Sequence, residues 1–255
     1  MCLILFAYDI HPRYRLVLAA NRDEFYERPA APLHFWEDHP QILAGRDLKQ
    51  MGTWLGVTRK GRLAAITNFR DPKGIKPVAP SRGDLVADFL KGDRGPVDYV
   101  QEIGAGADAY NGFNLLIGDR DGLYYASNRG VGFRSLEPGI YGLSNHLLDT
   151  PWPKVKSGVS CLESLVKAED AALFSGLEEL LQNQETPPDD QLPDTGVGLM
   201  WERMLASIFI SSLTYGTRCS SLLTIARTGQ IRFKEMSWVQ GLERPSPLVV
   251  REFNC

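Results

Sequence analysis

A cysteine occupies residue 2, directly behind Met1 and at the head of the apolar run from Leu3 to Tyr8. Removal of Met1 gives that one residue both a thiol and a free α-amine. A model α-amine titrates at about 8 and a thiol at about 8.5, so neither needs a large shift to work at neutral pH. The amine accepts the thiol proton and the thiolate attacks a carbonyl carbon, so one residue supplies nucleophile and base. The oxyanion that forms needs donors, an Asn amide or backbone N–H groups. The thiolate calls for a cation, and Arg is the permanently charged choice. The amine calls for a carboxylate or amide to orient it. The competing use of such a cysteine is structural, as a small apolar side chain buried in a strand.

Strands must bring these groups together. Leu3 to Tyr8 reads as a buried strand, "HPR" at 11–13 as its turn and residues 15–21 as its hairpin partner. Counting back along that hairpin places Asn21, Arg22 and Asp23 beside residues 1–4. Other polar residues stand where apolar strands meet loops: Asn68 closes "RLAAITN", Asn145 closes "GIYGLSN" and Arg218 opens "RCSSLLTIA". Asn and Asp are also ordinary turn residues at such places.

The segment "NRDEFYERPAAP" reads as a strand end near Asn21 and then a loop. Short strands follow at "QILAG", "TWLGV" and "RLAAITNF", then an exposed proline–glycine connection, "DPKGIKPVAPS". Ser81 is placed to cap a helix, with Asp84 at capping-box spacing, and 96–110 predicts a second helix. Strands are expected at "FNLLIGD", "GLYYASN" and "GIYGLSN", and helices over 153–167, 171–182 and "GLMWERMLA". The tail returns to strands at "IFISS", "SSLLTIA", "IRFKEMSW" and "VVREF". Hairpins dominate and helices fall in two clusters, without the βαβ alternation of a doubly wound sheet. The pattern predicts an α+β fold of two antiparallel sheets stacked face to face with a helical layer outside each. No composition shift marks a linker, so one domain over 1–255 is expected.

The net charge of −3 gives no basic field for nucleic acid. Charge is uneven: residues 161–200 are strongly acidic, with Lys167 the only base, which reads as a solvated helix face and loop. Cys2, Cys161, Cys219 and Cys255 are scattered without a CxxC pair, which fits reduced thiols in a cytoplasm. No run reaches the roughly 18 apolar residues of a membrane span. His11, His34, His39 and His146 are isolated turn or surface histidines with no metal-ligand spacing, His146 being notable beside Asn145. Phe25, Tyr26, Phe35, Trp36 and Trp54 can line an apolar pocket, although core packing explains them as well.

The opening "MCLILFAYDIHPRYRLVLAANRDEFYERP" resembles that of the NRDE family, also called the Transport and Golgi Organisation protein 2 family. "GTWLGVTRKGRLAAITNFRDP", "SRGDLVADFL", "YNGFNLLIGD", "YGLSNHLLDTPWPKV" and "YGTRCSSLLTI" continue the resemblance in order over essentially the whole chain. The family in turn is similar to the N-terminal-nucleophile hydrolases, an αββα sandwich, in the cysteine branch that holds penicillin V acylases and bile-salt hydrolases. The resemblance implies Cys2 as nucleophile, Asp23 as partner of its amine and Asn68 at the oxyanion. It implies Asn145 orienting the amine and Arg218 holding the thiolate. The sequence departs at one point. The branch carries an arginine three residues before its aspartate, whereas Arg22 directly precedes Asp23. Neighbours on an extended segment face opposite ways, so both reach Cys2 only where the backbone turns.

Two functional readings follow. The first is a hydrolase of a non-peptide amide or thioester, centred on Cys2 and needing no cofactor. The second is a non-catalytic carrier of haem or an acyl-coenzyme A-like lipid, since the family is implicated in intracellular haem mobilisation and lipid homeostasis. Haem is then cargo. Either way the partner is a small molecule, and the oligomeric state is left open.

Overall fold

The computed structural model describes residues 2–130, 132–239 and 245–255. In chain order these residues form β1 (Cys2–Tyr8), β2 (Tyr14–Phe25), β3 (Ala30–Phe35), β4 (Ile42–Asp47), β5 (Leu55–Thr58) and β6 (Leu63–Asn68). Next come α1 (Arg82–Lys91), α2 (Pro96–Gly104), β7 (Phe113–Gly118), β8 (Leu123–Ser127), β9 (Phe133–Ser135) and β10 (Gly139–Leu143). The remainder is α3 (Pro153–Leu165), α4 (Asp170–Leu181), α5 (Leu199–Met204), β11 (Tyr215–Ala226), β12 (Ile231–Trp238) and β13 (Pro247–Asn254). The chain divides into two compact units, one of residues 1–27, 137–144 and 148–255, the other of 28–136 and 145–147.

Among the described residues the first unit holds an antiparallel sheet in the order β10-β1-β2-β11-β12-β13. β1 is buried along nearly its whole length and serves two faces. Leu3, Leu5 and Ala7 pack with Val17 and Ala19 against Val155 and Leu162 of α3 and Leu173 and Leu177 of α4. Cys2, Ile4, Phe6 and Tyr8 alternate with them and take the other face. α3 approaches closely: a Cβ on Gly158 would lie 2.6 Å from Leu5 Cδ1. Asn21 faces the helical side, where its amide donates to the carbonyls of Leu181 (2.8 Å) and Ile208 (2.9 Å) and satisfies the end of α4. Its oxygen accepts from Ser220 Oγ at 2.5 Å.

The second unit is a meander, β3 to β9 in sequence order. Trp36, Ile42, Ala44, Ala64, Ile66, Leu115 and Ile117 pack there against Leu85, Phe89 and Leu90 of α1 and Tyr99 and Val100 of α2. An amphipathic helix pair thus covers one face of a sheet whose strands alternate.

Several local expectations change. β2 continues through the "NRDE" segment to Phe25, because β11 pairs with it as far as Tyr215 opposite Phe25. Tertiary pairing overrides polar composition. The proline-containing stretch after it is an edge strand, β3, whose register shifts between Ala31 and His34, the place an edge tolerates Pro32. "IFISS" makes only an isolated bridge, Ser211 to Gly216. Ser81 stands at the N-cap without a side-chain cap bond. All four cysteines are free thiols. Among the described residues no helix is long and apolar enough to cross a membrane.

Candidate functional site

Cys2 pairs directly with Arg22 across β1 and β2, and direct cross-strand partners share a face. Counting along the hairpin therefore placed residues 21–23 correctly. The "NRDE" segment splits by parity. Asn21 and Asp23 look toward the helices, while Arg22 looks the same way as Cys2. Arg22 is 6 % exposed and Asp23 1 %. Asp23 still bears on the Cys2 sulfur through its backbone N–H, which lowers the thiol pKa.

Burial pushes the Cys2 thiol above its usual range, and the Asp23 carboxylate adds to the rise. The Arg22 guanidinium and the Asp23 N–H pull the other way. In this environment the sulfur favours its neutral form.

The Asp23 carboxyl is likewise raised by burial, against the charge of Lys154 and a hydrogen bond from Thr217. Thr217 Oγ1 donates to Asp23 Oδ1 at 2.7 Å and accepts from Ile210 N–H at 2.9 Å. Lys154 sits at the start of α3, 4 % exposed, its Nζ donating to the Leu205 carbonyl at 2.8 Å.

β11 holds an irregularity beside these residues. Thr217 pairs with Asp23, Cys219 pairs with Arg22, and Arg218 is the extra residue between them. Residues two apart on a strand ordinarily share a face. The bulge instead turns Thr217 to the Asp23 side and Cys219 to the Arg22 side. Arg218 donates from Nη1 to the Phe25 carbonyl at 2.9 Å. Of the two arginines it is Arg22 that stands directly opposite Cys2.

In the second unit Asn68 ends β6 and Asn145 follows β10 in sequence. The structure brings these two together: Asn145 Nδ2 donates to the Asn68 carbonyl at 2.8 Å, and Arg70 N–H donates to the Asn145 carbonyl at 2.7 Å. Asn114 supports the segment, donating to His146 O (2.9 Å) and Thr67 Oγ1 (3.1 Å) and accepting from Tyr125 OH (2.8 Å). His146 lies against the Phe69 ring, centroids 4.7 Å apart.

Residues 1–240 match the family model described as Transport and Golgi organisation 2. The chain belongs to this family. Among curated relatives, the Transport and Golgi organization 2 homolog of Mus musculus is 37 % identical over 257 residues, covering 93 % of each chain. The Drosophila melanogaster Transport and Golgi organization protein 2 is 29 % identical over 264 residues, covering 92 % of this chain and 91 % of its own. Among solved structures, the Caenorhabditis elegans ortholog of N-acylethanolamine-hydrolyzing acid amidase superposes with a TM-score of 0.50 at 11 % identity, over 87 % of this chain and 92 % of that one. At that identity the likeness concerns fold alone. This member of the Transport and Golgi organisation 2 family thus has the α+β, N-terminal-nucleophile hydrolase-like fold expected from its sequence.

Three buried side chains near Cys2 and Asp23 were missed at the level of sequence, Lys154, Thr217 and Cys219, and with them Glu235, diagonal to Cys219 on β12. Glu235 carried a readable signal. In "IRFKEMSW" the alternation puts Ile231, Phe233, Glu235 and Ser237 on one face, so a carboxylate is written into an apolar row. Lys154 carried none, because one lysine in a helix reads as surface.

Proposed function

We propose that this protein hydrolyses a non-peptide amide or a thioester through Cys2, once Met1 has been removed. The observation that supports it is the seat of the sulfur, opposite Arg22, on the Asp23 N–H and within the field of a buried carboxylate. A thiol held neutral by burial needs a base, and the freed α-amine of the same residue is one. The amine takes the thiol proton, an S–acyl bond forms, and the C–N or C–S bond of the substrate breaks as that proton passes to the leaving group. Water then cleaves the acyl-cysteine, releasing the acid and restoring the thiol. Asp23, held by Thr217 and Lys154, orients the amine, and Arg22 offsets the thiolate charge. The family pattern gives Asn68 the oxyanion, Asn145 the amine and Arg218 the thiolate.

The test joins intact mass to turnover. Mature protein lacking Met1 should cleave members of a panel of acyl amides and acyl thioesters, and folded Cys2→Ala should cleave none. Retention of Met1 in protein from its native cells, or unchanged turnover in Cys2→Ala, would falsify the reading.

The second reading is a carrier. Two features support it: the words transport and Golgi organization in the relatives' names, and exposed apolar side chains at Leu199, Met200, Trp201 and Leu213. Its test is titration with haem and with an acyl-coenzyme A, before and after Met1 removal. A carrier binds one of them saturably in both forms, and absence of saturable binding to either removes it.

A further inference from the structure

The β1–β2 turn holds a histidine that the Cys2 site does not use. His11 is 5 % exposed. Its Nδ1 accepts from the backbone N–H of Arg13 at 3.1 Å and of Tyr14 at 3.2 Å. A ring nitrogen that accepts carries no hydrogen, so the hydrogen of the neutral imidazole sits on Nε2, the more distal nitrogen. The Tyr14 ring braces the imidazole, centroids 4.9 Å apart, and the His11 carbonyl accepts from Arg227 Nη2 at 3.0 Å. Burial first, then the charges of Arg13 and Arg227, holds the ring below its usual pKa and so neutral. Among the described residues nothing accepts from Nε2. A buried N–H is normally met by an acceptor, and here the acceptor must come from a cavity.

His11 lines a cavity of about 770 Å³ in the first unit, a size that suits a small organic molecule. It lies between the β1–β2 turn and the link from α3 to α4, past the far end of β1 from Cys2. The strand from Cys2 to Tyr8 alone spans roughly 20 Å. Ile10, Ile140, Val166 and Ala171 give apolar walls. The charges pair off with one exception. Arg13 meets Asp170, which also accepts from Tyr14 OH at 2.6 Å. Lys167 lies 3.8 Å from Glu163, and Arg227 holds Asp9 at 2.6 Å. Glu169 lines the cavity and makes no side-chain hydrogen bond or ion pair among the described residues. The ends of α3 and α4 that meet here have opposite dipole ends, so the surplus charge is the one carboxylate. It belongs to the acidic stretch 161–200, to which the Cys2 site gives no role.

We infer that this cavity is a second ligand site, taking a small organic ammonium compound that also carries a carbonyl oxygen: His11 Nε2 donates to the oxygen and the Glu169 carboxylate holds the ammonium. The site is separate from Cys2 and stands whether or not Cys2 is a nucleophile.

The probe is aminopropyl pyrrolidinone, a lactam with a primary ammonium, titrated into the full chain at about pH 7. NMR follows the His11 imidazole and the Asp170 and Ala171 amides. Two controls share the lactam ring: N-propyl pyrrolidinone, which lacks the charge, and the propanoate analogue, which reverses it. The ammonium compound should shift these signals saturably with a Kd below about 10 mM. The uncharged compound should bind about threefold more weakly, the scale of one exposed ion pair, and the propanoate more weakly again. Glu169→Gln should bring the ammonium compound to the affinity of the uncharged one. In His11→Asn the Oδ1 takes the place of Nδ1 toward residues 13 and 14, an Asx turn, but no Nε2–H remains. Both lactams should then lose about fivefold or more. Slow exchange of the Arg13 and Tyr14 amides shows that the turn is kept; where it is lost, Glu169→Gln decides alone. No saturable shift below about 10 mM, equal binding of the three compounds, shifts confined to the Cys2 end, or unchanged affinity in Glu169→Gln overturns the proposal.

Discussion

Cys2 and Arg22 are direct partners across the β1–β2 hairpin, so the guanidinium and the thiol share a face of the sheet. The pairing is set by backbone hydrogen bonds and does not depend on a flexible loop. Replacing Arg22 by Gln keeps a polar side chain and removes the charge that lowers the thiol pKa. Cys2 should then alkylate about tenfold more slowly at neutral pH, the thiolate fraction being what reacts. An equal rate in folded Arg22→Gln would show that the guanidinium does not act on the sulfur.

Asp23 gives the protein a pH dependence of definite sign. Its carboxyl titrates above the ordinary range in the folded state because it is buried. The folded state therefore holds the proton more tightly than the unfolded chain, and this residue's contribution to stability is lost as pH rises through the folded value. Asp23→Asn, a permanently neutral stand-in, should melt higher than wild type at pH 7. The gap should close as pH falls into the carboxylate range. Melting curves of the two proteins across that range decide it, and a gap that widens on acidification contradicts the assignment.

Thr217 serves two partners at once, the Asp23 carboxylate and the Ile210 N–H. Thr217→Val keeps the shape and strands both. The cost should be about 2–4 kcal/mol, since unmet buried partners are penalised at about 1–3 kcal/mol each. Urea unfolding measures it.

In the second unit, Tyr125→Phe removes the donor to Asn114 Oδ1. Asn114 is fully buried, so about 1–3 kcal/mol should be lost. Faster amide exchange at Arg70, whose N–H is held by Asn145, would show the loosening reaching the 145–147 segment.

The role that the family pattern gives Asn68 is open to kinetics. Asn68→Ala should lower kcat by roughly 100- to 1000-fold with little change in KM, the signature of a donor used mainly in the transition state. A rise in KM with kcat intact would remove Asn68 from the oxyanion.

Where the sequence was legible, a count or a period carried the information. The hairpin register followed from the number of residues on either side of 11–13, and the two helical clusters from spacing, although the helix expected over 96–110 ends at Gly104. Asn68 and Asn145 were legible as strand ends, but their mutual hydrogen bond joins residues far apart in sequence, and no local pattern encodes that. The extension of β2 through four polar residues was hidden for the same reason, because only the late strand β11 explains it. The bulge at Arg218 was hidden because "YGTRCSSLLTIA" reads as an unbroken strand.

That extra residue makes backbone shape, and not just composition, part of the design. With Arg218 excised, Thr217 and Cys219 would be neighbours on an extended strand, and neighbours face opposite sides, so the hydroxyl would stay on the Asp23 side and the thiol on the Arg22 side. A regular strand that kept Arg218 would instead set it opposite Arg22 and carry Cys219 over to the Asp23 side, taking the thiol from its guanidinium. Flattening the bulge, and not deleting its codon, is the change that would break the arrangement.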